Sequence, residues 1–315
     1  MDRFDAITAF VAVAHHGGFS AASRALGTPV ANLSRKVGLL EALLGVRLFV
    51  RTTRHVALTE GGRRYFAACS RVVDALRDAD EEVTSEYHQP RGDLVITAPL
   101  GFGQQHLQPV VHEFLRAHAQ IDVHLQLDDR VLPMVEEHVD CALRIGALAD
   151  SGLVAREVGA IRLVVCAAPA YLQARGMPRD LSALSSHDCI SWTTLGRTGT
   201  WTLTQRQGDM SVALQVPVHA RMSTTTPDSA LQAAIAGLGL LQATSYQVAP
   251  HVASGALVPV LVAHHGAPMP VSLVHPGKRL MPLRLRAWLD FAAPRLQQRL
   301  LEIEAVMQGV NGSTG

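Results

Sequence analysis

The sequence predicts an α/β protein that begins with a winged helix-turn-helix followed by a long helix. Three observations support this prediction. Within residues 19–60, two short helical patterns joined by a tight turn lead into two β-rich runs around a polar tip. A heptad spacing of mostly apolar residues then continues to residue 87. From residue 90 onward, short apolar runs alternate with helical stretches, which is the pattern of an α/β region.

The segment 19–44 predicts the two helices of the turn motif. The first contains Ser20 near its start, a residue type favoured at helix N-caps, and ends at Gly27. Thr28 is a candidate cap for the second helix, and Pro29 suits its first position because proline has no amide to satisfy. Apolar residues then recur at helical spacing and predict a buried stripe of Leu33, Val37, Leu40 and Leu44.

Polar and basic side chains occupy the rest of the second helix, namely Asn32, Ser34, Arg35 and Lys36. These residue types hydrogen-bond phosphates and base edges, and a recognition helix presents its N-terminal half to the major groove. A solvated helix face is the alternative interpretation. The context favours nucleic acid, because the β-rich runs that follow surround a basic tip with Arg51, Arg54 and His55, which suits a phosphate backbone or a minor groove.

Positive charge is concentrated at the N-terminal end of the chain. Residues 1–64 contain nine lysines and arginines against four acidic residues, a net charge of +5, whereas the whole chain carries only +1. The remaining residues are therefore net negative. A basic module on an otherwise near-neutral protein is the pattern expected when one domain contacts nucleic acid.

Composition excludes several other classes of protein. A length of 315 residues with 48% hydrophobic and 17% charged content predicts folded units with ample cores. No apolar run reaches the roughly 20 residues that span a bilayer, and the polar start does not resemble a signal peptide, so we expect a cytoplasmic protein. Four widely spaced cysteines predict neither a disulfide framework nor a zinc site; one oxidation-sensing thiol is the alternative to four reduced ones.

A long helix is predicted from the N-cap candidate Thr59 to about Tyr87. Sustained heptad spacing implies a partner helix, although Asp80 interrupts the seam and a helix packed on its own domain is the alternative. Residues 65–89 carry a net charge of −4 and would repel DNA. The helix therefore suits dimerisation, through Phe66, Cys69, Val73, Leu76 and Val83.

At this point the sequence resembles the LysR-type transcriptional regulators, and the resemblance spans nearly the whole chain. The motifs that carry it are AASRAL (21–26), LSRKV (33–37), LGVRLF (44–49), RTTR (51–54) and LTEG (58–61), in family order. Two departures are visible. Pro29, Val30 and Ala31 stand where many members have a Ser-Gln-Pro run, and Gly38 lies inside the recognition helix, where a better helix former is usual.

The resemblance implies a division of the chain into functional parts. A DNA-binding domain is expected over 1–60, a linker and dimerisation helix over 61–89, a two-lobed, periplasmic-binding-protein-like effector domain over 90–300, and a C-terminal tail over 301–315. Lobe 1 is expected at about 90–160 and 268–300, and lobe 2 at about 161–267. The expected DNA contacts are Ser20, Thr28, Asn32, Ser34, Arg35, Lys36, Arg51, Thr53 and Arg54.

The alternation after residue 90 predicts the elements of the two lobes. In order, these are a strand at 94–96, helix at 106–118, strand at 123–127, helix at 132–138, strands at 141–145 and 162–168, a helix from 169, a helical run at 229–236, a strand at 271–274 and a last helix over 282–300. Ligands bind such sheets at the carboxyl ends of strands. This rule predicts effector contacts at Leu100, Gly101, Phe102, Ile145 and Trp192, although the tryptophan could equally belong to the core. The resemblance implies two further effector contacts, Ser223 and Thr224, whereas Thr226 and Asp228 suit helix capping.

Two rival functions share parts of this pattern. An α/β enzyme is disfavoured, because Ser186, His187 and Asp188 are consecutive and cannot adopt triad geometry. The adjacent histidine pairs lack metal-ligand spacing, so we expect neither metal nor cofactor. A solute-binding-type sensor would share the two lobes but not the basic N-terminal module.

The sequence therefore predicts a LysR-type regulator that catalyses no reaction. Its expected partners are double-stranded DNA, a small-molecule effector with a carboxylate or an aromatic body, and itself as a homodimer or homotetramer. RNA polymerase is a further expected contact, and a membrane is not.

Overall fold

A computed structural model provides the structure of the chain. It describes residues 2–309 except 52–55, 85–88, 132, 135–136, 138, 149–151, 193–198, 208–209 and 278–280. The chain forms two compact units, one of Met1–Gln89 with Leu280–Leu283 and one of Pro90–Arg279 with Arg284–Gly315. Among the described residues, no helix combines the length and apolarity needed to cross a membrane.

The first unit is the winged helix-turn-helix that the sequence predicts, followed by the long helix. Its elements are α1 (Arg3–His15), α2 (Phe19–Leu26), α3 (Val30–Leu44), β1 (Phe49–Arg51), β2 (Val56–Leu58) and α4 (Glu60–Thr84). Strands β1 and β2 pair antiparallel as the wing. The core packs Phe10 of α1 against Leu33, Val37 and Leu40 of α3, which confirms the buried stripe at these three positions, while Leu44 is partly buried.

Glycine ends two helices of this unit as the sequence predicts, whereas the N-cap residues of α2 and α3 differ from the prediction. Gly27 and Gly45 end α2 and α3 with φ of 60° and 70°, a conformation that glycine adopts without strain. The N-cap of α2 is Gly18, so Ser20 lies inside the helix. Pro29 is the N-cap of α3 instead of its first residue, because the Thr28 hydroxyl donates to Leu26 O at 3.4 Å and accepts no helix amide.

The second unit contains two five-stranded sheets, which define lobe 1 and lobe 2. Lobe 1 comprises β3 (Gly92–Ala98), α5 (Leu100–Phe102), a π-helical turn (Gly103–Leu107), α6 (Gln108–Ala117), β4 (Ile121–Leu127), β5 (Cys141–Ile145) and β6 (Leu153–Ile161). Lobe 2 comprises β7 (Leu163–Ala167), α7 (Pro169–Arg175), β8 (Cys189–Trp192), β9 (Thr200–Gln207), β10 (Met210–Pro217), β11 (Ala220–Thr224), α8 (Pro227–Ile235), β12 (Leu240–Thr244), α9 (Ser245–Ala253) and β13 (Val258–Val260). The chain then returns to lobe 1 as β14 (Met269–Pro276) and α10 (Leu283–Gly309).

The strand orders of the two sheets show which strands run parallel in each lobe. Lobe 1 has the order β4-β3-β5-β14-β6, and lobe 2 has the order β11-β8-β12-β7-β13. Strands β3, β4 and β5 run parallel in lobe 1, as do β11, β8 and β12 in lobe 2. The chain changes sheets between Ile161 and Leu163 and again before Met269.

Four features of this unit differ from the sequence expectations. The sequence does not predict β6, because this edge strand has exposed residues at 154–157 and therefore lacks an apolar run. The β9–β10 hairpin was also missed. Of the helix expected at 132–138, residues 133, 134 and 137 are described and are not helical. The tail expected from residue 301 is wrong as far as Gly309, because α10 continues and buries Ile303 and Met307.

Candidate nucleic-acid interface and effector crevice

One face of helix α3 is buried in the core, and the other face is exposed to solvent. Leu33, Val37 and Leu40 are at most 1% exposed, whereas Asn32 and Arg35 are exposed on the other side of the helix. No described residue forms an ion pair with Arg35 within 4 Å. An exposed guanidinium and an exposed carboxamide on the N-terminal half of this helix are therefore available to base edges or phosphates.

Lys36 differs from its neighbour Arg35. Its Nζ lies 2.8 Å from Asp5 Oδ1 of α1, and its side chain is only 24% exposed. The ion pair ties α3 to α1 across the turn motif. Lys36 therefore has an intramolecular partner at the position where the sequence suggested a DNA contact.

The other expected DNA contacts lie around α3. Ser20 is exposed on α2, while Thr28 and Ser34 are partly buried. Arg51 ends β1, but nothing of its side chain is described, and Thr53 and Arg54 lie outside the described residues.

A buried carboxylate joins α3 to the wing. Glu41 is 5% exposed, and its Oε1 accepts the backbone N–H groups of Leu48 at 2.7 Å and Phe49 at 3.1 Å. Arg47 Nη1 approaches Oε2 at 3.5 Å. The sequence does not predict this role of Glu41, because an acid inside an amphipathic helical pattern is expected on the solvated face.

Helix α4 begins as its sequence predicts. The Thr59 hydroxyl accepts the N–H of Gly62 at 2.8 Å and caps the helix. Along the expected seam, Cys69 and Val73 are each 6% exposed within the chain, Phe66 is partly buried, and Leu76 is 45% exposed. Val72, which was not in the seam, is 56% exposed, and the side chain of Val83 lies outside the described residues. The exposed apolar surface of α4 thus runs through Val72 and Leu76.

In the second unit, the helix that starts after β3 meets α9 of lobe 2. A Cβ added to Gly101 would lie 3.0 Å from Tyr246 Oη and 3.8 Å from Gln247 Nε2. Glycine here permits the close approach of the two lobes. Gly101 therefore faces a side chain of lobe 2 in this structure.

The backbone amide of Leu100, one of the expected effector contacts, has a carboxylate partner within the chain. Leu100 N–H donates to Asp129 Oδ1 at 3.0 Å, and Leu100 itself is 42% exposed. This acid follows β4 and was absent from the sequence interpretation of the crevice. Gly103, one turn later, has a packing role, because a Cβ there would overlap the side chain of Leu127.

Three rings contact one another where the lobes meet. Phe102 is fully buried, with its ring 5.2 Å from that of Tyr246, and His106 lies 5.5 Å from the same tyrosine ring. Burial raises the pKa of the Tyr246 hydroxyl; the Thr244 side chain opposes this shift, and Asp129 and Asp228 add to it. Burial, with a smaller effect of Arg299, lowers the pKa of His106 to about 4.

The remaining crevice candidates differ in accessibility. Ser223 is exposed and Thr224 is partly buried at the end of β11, while Ile145 is partly buried at the end of β5. Trp192 donates from Nε1 to Gln242 O at 3.2 Å, so its indole N–H is occupied. Thr226 caps α8 by accepting the N–H of Ser229 at 3.4 Å, as its sequence position predicted.

The contribution of α9 to the crevice was not predicted, although the sequence contains a capping-box pattern that marks the start of this helix. Thr244 and Gln247 form a capping box at the start of α9, with their side chains 2.6 Å apart. A threonine followed three residues later by glutamine marks a helix start directly after β12. The carboxyl end of that strand is where a ligand-binding edge is expected.

The four cysteines are buried thiols. Burial raises the pKa of Cys141, Cys166 and Cys189 to about 12, so these three carry almost no reactive thiolate at neutral pH.

Comparison with protein-family models assigns both units. Residues 4–63 match the bacterial regulatory helix-turn-helix proteins of the lysR family, and residues 88–297 match the LysR substrate binding domain.

Individual relatives agree over almost the full length. The chain is 34% identical over 287 residues to an HTH-type transcriptional regulator of Xanthomonas campestris pv. campestris, covering 91% of this chain and 83% of the relative. It is 31% identical over 291 residues to the transcriptional activator TtdR of Escherichia coli K12, covering 92% of each.

Two solved structures extend the comparison. CrgA, a LysR-type transcriptional regulator from Neisseria meningitidis, superposes with a TM-score of 0.59 at 30% identity, covering 93% of this chain and 98% of that one. An OxyR C206 mutant from Corynebacterium glutamicum gives a TM-score of 0.63 at 16% identity over 98% of this chain and 95% of that one, a likeness of fold alone.

Proposed function

The chain belongs to the LysR family of transcriptional regulators, and on that premise we propose how it contacts DNA and its effector. It is a DNA-binding regulator with an effector-binding domain, and not an enzyme. Helix α3 enters the major groove, with Asn32 and Arg35 at base edges, and Ser20, Thr28 and Ser34 at the backbone or groove edge. The division of α3 into a buried stripe and an exposed Asn32 and Arg35 carries this proposal.

The wing supplies contacts of a second kind. Arg51, Thr53 and Arg54 are proposed to lie against phosphates or the minor groove, because Arg51 ends β1 and the other two follow it in the sequence before β2. Lys36 contributes mainly through its ion pair with Asp5, which holds α3 on α1.

Two copies of the chain are proposed to pair through α4. Family members form oligomers, and the apolar surface through Val72 and Leu76 is exposed in the single chain. Phe66, Cys69, Val73 and Val83 of the expected seam are proposed to support this contact. The resulting homodimer or homotetramer presents two or more DNA-binding units to a pseudo-palindromic site.

The effector is proposed to bind between the lobes and to carry a carboxylate or an aromatic body. Candidate contacts are Leu100, Gly101, Phe102, Ile145, Trp192, Ser223 and Thr224. The hydrogen bond from Leu100 N–H to Asp129 supports carboxylate recognition, since an effector carboxylate would replace the aspartate there. Binding favours one arrangement of the lobes, which alters DNA bending or RNA polymerase contact. Acting on chromosomal DNA, the protein is proposed to reside in the cytoplasm.

A salt titration of operator binding tests the DNA contacts. Operators are first selected from a random duplex library with the full-length protein. Arg35→Ala should then lose about 1–3 kcal/mol of specific binding. Arg54→Ala should weaken all sequences alike and reduce the salt slope by roughly one unit.

Lys36→Ala is the matched variant for Arg35→Ala, and its effect on affinity should be the smaller of the two. Binding by Arg35→Ala and Arg54→Ala that is indistinguishable from wild type would contradict the proposal.

A further inference from the structure

Helix α3 contains a glycine that no contact with another described residue explains. Gly38 is exposed in the middle of the helix, and a Cβ added to it would meet no described atom within 4 Å. Its φ does not lie in the left-handed region that favours glycine. Glycine in a helix interior lowers stability relative to alanine, so the fold gains nothing from it here.

The residue after this glycine is an exposed leucine. Leu39 is 41% exposed and follows Arg35 by four residues, which places the two side chains on the same side of the helix. Single exposed leucines are common on protein surfaces. Leu39 differs in lying on the face that presents Arg35, next to a position without a side chain.

We propose that Gly38 and Leu39 form a second reading position on the DNA, at which the duplex approaches the helix backbone closely and Leu39 contacts the 5-methyl group of a thymine. This inference rests on the proposed placement of α3 in the major groove. The thymine methyl is the apolar group that base edges offer in that groove, and leucine has no atom that can hydrogen-bond to the other edges. Absence of a side chain at Gly38 leaves room for the sugar-phosphate backbone or the groove wall.

The helix geometry locates the thymine. Four residues advance an α-helix by about 6 Å, which corresponds to about two base steps. The thymine should therefore lie within about two base pairs of the base that Arg35 contacts in each half-site.

Deoxyuridine substitution tests the leucine contact. In a duplex selected with the full-length protein, each thymine of a half-site is replaced singly by deoxyuridine, which removes only the methyl group. At one position, the change should weaken wild-type binding by about fourfold, the effect of burying one methyl group. The same change should leave Leu39→Ala unaffected, because the contact is already lost.

Leu43→Ala serves as the matched control, since Leu43 is an exposed leucine one turn further along α3. It should keep the wild-type response to deoxyuridine. No thymine that couples to Leu39, or coupling to Leu43 instead, would overturn the leucine contact.

Gly38→Ala tests the close approach with two readouts of opposite sign. The melting temperature should rise by about 4 °C, since alanine favours the helix. Affinity for the selected duplex should fall by about tenfold, because the added methyl overpacks the interface. Equal or tighter binding would overturn the close approach.

Arg35→Ala separates failure of this inference from failure of the proposed function. If Arg35→Ala binds like wild type, the placement of α3 in the groove is wrong. If Arg35→Ala is weakened while Leu39 couples to no thymine, only the second reading position is wrong.

Discussion

The Glu41 carboxylate accepts the backbone N–H of Leu48 at 2.7 Å and so couples the recognition helix to the first strand of the wing. Its other oxygen, Oε2, has no hydrogen-bond partner among the described residues. This buried acid thus links α3 to the wing, in addition to the apolar core that the two share. The recognition helix and the wing, which are both proposed to contact the same duplex, are therefore linked at Glu41.

Glu41→Gln should lower the free energy of unfolding by about 1.5–3 kcal/mol, the usual value of a hydrogen bond to a charged group. Glutamine keeps one acceptor oxygen, but it loses the charge and places an amide nitrogen where Oε2 now lies. Urea unfolding of the full-length protein measures the change. Glu302→Gln is the control, because Glu302 is exposed, and should stay within about 0.5 kcal/mol of wild type. Wild-type stability of Glu41→Gln would show that the acceptor alone suffices.

Leu76→Asp should convert the protein to monomers, and operator binding should fall with it. Leu76 is 45% exposed, and an acid there would face apolar partner residues and other acids of α4 without a counter-charge. Light scattering at micromolar concentration gives the oligomeric state. Leu238→Asp is the matched control, since Leu238 is 44% exposed on lobe 2, and it should keep the wild-type state. A dimeric Leu76→Asp protein would contradict pairing through this surface.

Periodicity and turn chemistry predicted most of the first unit. The stripe of Leu33, Val37 and Leu40, the glycines that end α2 and α3, and the Thr59 cap all depend on local spacing. The Lys36–Asp5 ion pair joins residues 31 positions apart and has no local pattern. Local rules thus identified the helix, but not which of its basic residues has an internal partner.

The crevice was less predictable, because its contacts join distant segments. Phe102 looked like a lining residue in the sequence, yet its ring is buried against Tyr246, 144 positions away in the numbering. Asp129 reaches Leu100 from the loop after a different strand. The strand ends could be predicted from the alternation of apolar runs with helical stretches. The side chains that meet at those ends depend on how the two lobes pack.

The stability of the protein should fall between about pH 6.5 and pH 4, with His106 as one cause. Its pKa drops from 6.5 in the unfolded chain to about 4 in the folded one, so in this interval the unfolded chain binds a proton that the folded chain excludes. Stability is therefore present above pH 6.5 and is lost as the pH falls. His106→Phe should keep the ring contacts with Phe102 and Tyr246 and reduce the loss of melting temperature between pH 7 and pH 5.

His112→Phe is the control for the pH series, because His112 is exposed on α6, and it should retain the full wild-type dependence. Some dependence should remain in His106→Phe, since burial also lowers the pKa of His187 and His265. If His106→Phe and wild type lose the same melting temperature over this interval, His106 does not contribute.

Asp129→Asn should increase the response of the protein to carboxylates. The asparagine oxygen can still accept the Leu100 N–H, but the negative charge that an effector carboxylate must displace is gone. Thermal shift with 3-phenylpropionate, its amide and 3-phenylpropylamine separates anion, neutral and cation on one aromatic body. The anion should stabilise Asp129→Asn more than wild type. Asp122→Asn is the control, because Asp122 is an exposed acid on β4, and it should behave as wild type.

Thr224→Val keeps the shape of the side chain and should lose about 1–3 kcal/mol of anion binding if the hydroxyl donates to the anion, while operator binding stays unchanged. Stabilisation by the amine alone would contradict carboxylate recognition in the crevice. An Asp129→Asn protein that responds to all three compounds as wild type does would show that Asp129 does not compete with the effector carboxylate.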